Sequence, residues 1–339
     1  MSNSIQRLYK HVEFLSTIRP ARNYENKCSI DKTIEYIDKE LYSYGYHVTK
    51  QTFSSNLCEY QHTNISVLYG NEKLKRLVVG AHYDVCCDTP GADDNASAIA
   101  GLLENARELI AKSPKLEYCV EFVAYANEEP PFFGTKYMGS HVHAEGLFKN
   151  KIDVIGMVCY EMIGYFSDEM NSQDIPYEFK KILNHSKAIK LASRLPMRVF
   201  RLLLDKFNLD DSTRKIFIDN KKYLYEIIDS FNLPNKGDFI IILGKPTQQQ
   251  FISNIFGNMS PASKVHVQKV LLPSEVGLAK MSDHMNYWKF GYNAVMINDT
   301  SFLRNPNYHE LTDTIDTLDF NKMDQVVKGV FTSICNLQF

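Results

Sequence analysis

The chain has 339 residues, 44 % of them hydrophobic, with a formal charge of −2 and a pI near 6.6. That is enough apolar material for one large α/β domain or two small ones. The near-neutral balance, with no Lys/Arg block and no acidic tail, argues against a nucleic-acid partner.

The opening stretch MSNSIQRLYKHVEF lacks a basic-then-apolar leader pattern, and no apolar run reaches bilayer-spanning length. A cytoplasmic protein without membrane association is expected. In chain order, apolar residues at helical spacing predict helices over 6–16 and 31–44, the second capped by Ser29 and stopped by Gly45. Alternation and β-branched residues predict strands over 47–53 and 64–68, and the more apolar 77–82 is a buried third. At its end His82 and Asp84 occupy alternate positions, so both side chains leave on one face. Cys86 and Cys87 follow; as neighbours on an extended chain they point apart and read as structural. All seven cysteines, an odd number without CxxC spacing, read as reduced thiols.

Asp93, Asp94 and Asn95 come just ahead of a small-residue helix that begins near Ala96, and Asp93 reads as a turn or capping residue. A buried strand over 118–126 runs into Asn127-Glu128-Glu129, a short helix is expected over 135–144, and a strand over 154–160 ends on Glu161. From 173 to 236 strand-like runs vanish and helical spacing prevails, which marks a helical insertion too long for a plain connection. Strands resume at 238–243, 267–272 and 294–297, with helices over 248–256 and 320–337. Strands alternating with helices indicate one α/β domain, 1–339, around a largely parallel sheet.

Ionisable residues therefore recur where strands end, the crevice position in open α/β sheets: His82, Asp84, Asp94, Glu128, Glu129 and Glu161, joined late by His309. Each alone has a plainer role, as helix cap, loop acid or exposed imidazole. Together, two imidazoles and several carboxylates suit zinc, manganese or cobalt. One bridging carboxylate with two terminal ligands on each side would hold two metals, leaving a surplus acid as proton carrier.

The series GAHYD, PGADDNAS, FVAYANEEPPFFGT, YEMIGY, MSDH and NPNYH…DT resembles the M28 family of co-catalytic zinc aminopeptidases, and its EEPPFFGT a bacterial-type subgroup. The resemblance implies a three-layer α/β/α sandwich with a mixed, centrally parallel sheet, of the zinc exopeptidase type. It implies two Zn2+ ions, or Mn2+ or Co2+, held by His82, Asp94, Glu129, Glu161 and His309, with Asp94 bridging. Glu129 and His309 would serve one ion, His82 and Glu161 the other. Glu128 matches the general base and Asp84 the acid that orients the histidine. The implied reaction is hydrolysis of the N-terminal peptide bond of a peptide with a free amino group. Asp283 and Tyr308 match positions on the substrate side, with Arg304 a further candidate. The insertion over 173–236 lies outside the resemblance; its length and helical spacing suit a cap beside the active site or, equally, a partner-binding element.

Some residues depart from the family pattern. Glu161 stands where many members have Asp, Ala98 where glycine is usual, and Pro130-Pro131 stiffens a loop that commonly carries glycine. Two other classes remain open at this level: a glutaminyl-cyclase-like acyltransferase with one zinc, and a non-catalytic binding protein. No GxSxG elbow, phosphate-binding GxxxxGK[ST] loop or HExxH helix is present.

Overall fold

A computed structural model describes residues 2–207 and 209–339, and at Tyr177, Glu178 and Lys181 the backbone alone. Its strands are β1 (Thr49–Phe53), β2 (His62–Tyr69), β3 (Arg76–His82), β4 (Cys119–Tyr125), β5 (Val154–Glu161), β6 (Phe239–Gly244), β7 (His266–Leu271) and β8 (Ala294–Asn298). They form one mixed sheet in the order β1-β2-β4-β3-β5-β8-β6-β7. Strands β4, β3, β5 and β8 run parallel at the centre, with antiparallel pairings at β1–β2, β2–β4 and β6–β8. CVEFVAY in β4 is buried throughout, as befits a parallel strand covered on both faces, whereas TKQTF at the β1 edge alternates with solvent.

The helices are α1 (Asn3–Ser16), α2 (Lys27–Ser43), α3 (Ala98–Lys112), α4 (Gly139–Lys149), α5 (Tyr177–Asn184), α6 (Ser186–Ser193), α7 (Met197–Leu204), α8 (Asp211–Asp219), α9 (Leu224–Ser230), α10 (Gln249–Ala262), α11 (His284–Lys289) and α12 (Phe320–Asn336). Alternation along β5 displays the layers. A side chain at Gly156 would strike the Phe251 ring of α10, and Tyr160 donates to Asn105 of α3; Cys159, in between, meets Ser282 Oγ ahead of α11. Helices α3, α10 and α12 thus cover one face and α4 and α11 the other, giving the three-layer α/β/α sandwich with a centrally parallel sheet. Helices α5 to α9 gather Ile189, Phe200, Leu204, Phe217 and Leu224 into a second apolar cluster. The stacked rings of Phe179 and Phe231, 4.1 Å apart, tie that cluster to the main core.

Three local features differ from the sequence expectation. Helix α2 starts at Lys27, so Ser29 lies inside it and donates to the Pro20 carbonyl at 2.6 Å instead of capping. The helix expected over 135–144 starts only at Gly139, because Thr135 turns back onto the Phe132 carbonyl and Gly134 takes φ +76°. Helix α11, six residues long, is too short for apolar spacing to reveal. Among the described residues no helix is long and apolar enough to cross a membrane.

Candidate active site

The parallel strands deliver the expected side chains to one end of the sheet. His82, the last residue of β3, sets Nε2 3.4 Å from Asp94 Oδ1, 3.3 Å from Glu161 Oε2 and 3.9 Å from Glu128 Oε2. His309 approaches from the other side, with Nε2 3.2 Å from Asp94 Oδ2 and 3.5 Å from Glu129 Oε2. Asp94 therefore turns one oxygen to each histidine. Tyr308 stacks on the His309 ring at 3.8 Å, half-buried at the rim.

Backbone amides hold the acids in place. Glu128 and Glu129 donate their N–H groups to the two oxygens of Asp84 at 3.1 and 3.0 Å, which fixes the loop after β4. His82 Nδ1 lies 3.2 Å from the Asp84 carbonyl and 3.5 Å from its carboxylate, so the histidine is oriented chiefly through that backbone oxygen. On the opposite side Asp313 accepts from the N–H groups of Asp93 and Asp94 at 2.9 and 3.1 Å. Arg22 gathers the Tyr83, Pro90 and Gly91 carbonyls, and Gly91, at φ +59°, leaves no room for a Cβ against Val85 and the Asp94 carbonyl. Ser282 donates to Glu161 Oε2 at 2.6 Å, which steadies the longer arm of a glutamate at this position.

Asp84, Asp94, Glu128, Glu129, Glu161 and Asp283 are each 6 % exposed or less, and the imidazoles of His82 and His309 stand among them. Burial, with Asp94 beside it, pushes Glu129 up to about 7, and burial with Glu129 and Glu161 nearby drives Glu128 well above the carboxylate range. Burial works against a charged His309, but Asp94 and Glu129 outweigh it and raise the ring to about 10. Burial is likewise outweighed at His82, raised by Glu161 and Glu128, and at Asp94, held low by the two histidines. The cluster holds more acids than cations, and among the described residues buried Asp94 Oδ1 and Glu129 Oε1 have no hydrogen-bond partner. Donors of a tetrahedral zinc at bonds of about 2.0–2.2 Å lie roughly 3.3–3.6 Å apart, the spacing of the His82 and His309 contacts. These residues fit divalent metal.

Peptidase family M28 matches this sequence over residues 64–197. The uncharacterized protein YfbL of Escherichia coli (strain K12) is 33 % identical over 341 aligned residues, covering 98 % of this chain and 88 % of that one. The chain belongs to peptidase family M28. This M28 member is a peptidase, a metal-dependent hydrolase of peptide bonds. Its fold matches the Legionella pneumophila LapA aminopeptidase at a TM-score of 0.67, with 16 % identity over 99 % of this chain and 72 % of that one. It also matches a Bacteroides thetaiotaomicron glutaminyl cyclase at 0.61, with 15 % identity over 98 % of each chain.

Five residues of the M28 peptidase occupy places other than those expected. Asp283 is fully buried, close to His82 and Glu161, so it does not line the substrate side. Arg304 is also buried, donating to Gln173 Oε1 at 3.0 Å and the Phe239 carbonyl at 2.8 Å; it anchors the start of the 173–236 segment. Asp93 caps no helix but accepts from Gly164 N–H at 2.9 Å and Asn305 Nδ2 at 2.8 Å, because Asp94 and Asn95 interrupt the helical backbone there. Cys86 and Cys87 do not diverge: the chain turns at Cys87, φ 50°, leaving the sulfurs 3.6 Å apart and Cys86 facing Glu129 and His309. The clamp by Asp313 is a further functional contact that the expected site residues do not include; its one signal in the sequence is the DT pair that begins four residues after His309.

Proposed function

We propose that this peptidase is an aminopeptidase that holds two divalent ions, zinc foremost, with Asp94 shared between them. One observation carries this: the two oxygens of Asp94 face two separate donor sets, His82 with Glu161 and His309 with Glu129. Bound metal supplies Lewis acidity, polarising the scissile carbonyl and making water nucleophilic near neutral pH. Glu128 stands beside both sets, 3.9 Å from the nearest ring nitrogen, and is the acid left to carry protons. It takes the proton of the attacking water and returns it to the leaving amine. Asp84 keeps Glu128 and Glu129 on their shared backbone platform. At the rim Tyr308, stacked on His309, offers its hydroxyl to the substrate. The substrate is a peptide with a free N-terminus.

Metal content and a panel of aminoacyl substrates, measured together, test the proposal. Two ions per chain and release of N-terminal residues are expected, and Asp94→Asn should lose both ions together. Selective loss of one ion in that variant would refute the shared ligand. A single ion with release of ammonia from an N-terminal glutaminyl peptide would instead favour a cyclase.

A further inference from the structure

The thiol of Cys86 has no part in the ligand set described above, yet its sulfur, a Glu129 oxygen and a His309 nitrogen all lie within 4.8 Å of one another. Glu129 is almost fully buried, and its Oε1 has no hydrogen-bond partner among the described residues. The loop presents the sulfur firmly: Thr89 donates to the Cys86 carbonyl through its amide at 3.3 Å and its hydroxyl at 2.7 Å. Cys87, by contrast, is exposed and outside the donor cluster.

We infer that Cys86 is a further donor to the metal held by Glu129 and His309, making that position a thiolate-bearing site selective for zinc, cobalt or cadmium over manganese and magnesium. The inference rests on Glu129 and His309 being ligands. When the ion binds, the Cys86 S–H proton leaves to solvent and a sulfur lone pair forms the metal bond, so the site gains one negative charge and releases one proton. A thiolate is a soft donor and carboxylates are hard ones; exchanging the balance between them shifts preference among metals without altering the oxygen-rich set around His82.

Cobalt(II), added to the metal-stripped full-length protein, distinguishes the possibilities. Visible d–d absorption reports that cobalt occupies the site, and a near-ultraviolet sulfur-to-cobalt charge-transfer band reports thiolate ligation. The band should be present in the wild type and in Cys87→Ser and lost in Cys86→Ser, with d–d absorption retained. Visible absorption without the band, or a band that survives Cys86→Ser, would overturn the role of Cys86 alone. No bound cobalt and no visible absorption would overturn the ligand assignment beneath it too. A second measurement needs no variant: zinc should block alkylation of Cys86 in the wild-type protein while Cys87 stays reactive. Equal labelling of Cys86 with and without bound zinc would refute the inference.

Discussion

Glu128 and Glu129 are adjacent in the chain, yet the fold gives them different surroundings. Glu129 reaches 3.5 Å from His309 Nε2, whereas Glu128 comes no nearer than 3.9 Å to that of His82, while both backbones hang from Asp84. A group that must shuttle a proton has to be near the reacting atoms without being consumed as a ligand. Glu128→Gln should therefore keep its metal and lose about 10²–10⁴-fold in kcat, checked by metal analysis beside single-substrate kinetics. Metal loss in that variant would make Glu128 a ligand. Residue types at strand ends were legible in the sequence because strand position is set by local apolar patterning. Local patterning does not separate two neighbouring glutamates, whose contacts come from elements far along the chain; the pairing of Glu129 with His309 was expected from the family motifs alone.

At the scale of elements, the turn over residues 91–97 is held from outside itself. Its amides at Asp93 and Asp94 point to Asp313, its Gly91 carbonyl to Arg22, and its Asn95 side chain accepts from Met162 N–H at 3.0 Å. Asp313→Asn keeps the shape but leaves one acceptor oxygen where two amides need partners. It should cost about 1–3 kcal/mol of stability and weaken metal binding about 10–100-fold, read by denaturant unfolding and by competition with a chelator. Unchanged metal affinity would remove Asp313 from the support of Asp94. The helical segment between β5 and β6 belongs to the same scale: its first residues are pinned by Arg304 through Gln173, and we propose that it limits peptide access as a cap.

For the molecule as a whole, a buried acidic cluster makes stability depend on cations. Saturation with metal should raise the unfolding free energy by about 4 kcal/mol when free metal is 1,000 times Kd, so removal by chelator should lower Tm, and zinc should restore it. A Tm indifferent to chelator would contradict a tightly bound ion. Away from the site, β4 carries the buried Glu121. Burial raises its pKa, but His143 and Arg76 overcome that and hold it at about 2. Because the folded value is depressed, the contribution is complete above the unfolded value near 4.5 and is lost as pH falls from there toward 2. Up to about 3 kcal/mol is at stake. Glu121→Gln should flatten the Tm–pH curve in that window, and an unchanged slope would mean that other acids dominate.

Taken alone, the sequence determined the α/β class, the strand ends that carry acids and imidazoles, and the family motifs that join them. Those features are local: apolar period, turn residues and short motifs extend over a few positions. Only the tertiary structure decided that Asp94 turns one oxygen to each histidine, that Asp283 lies beneath the site, and that Cys86 faces Glu129 and His309. Contacts such as Asp313 to Asp93 span 220 positions. No local pattern encodes such pairings, because sheet order and layer packing bring the partners together.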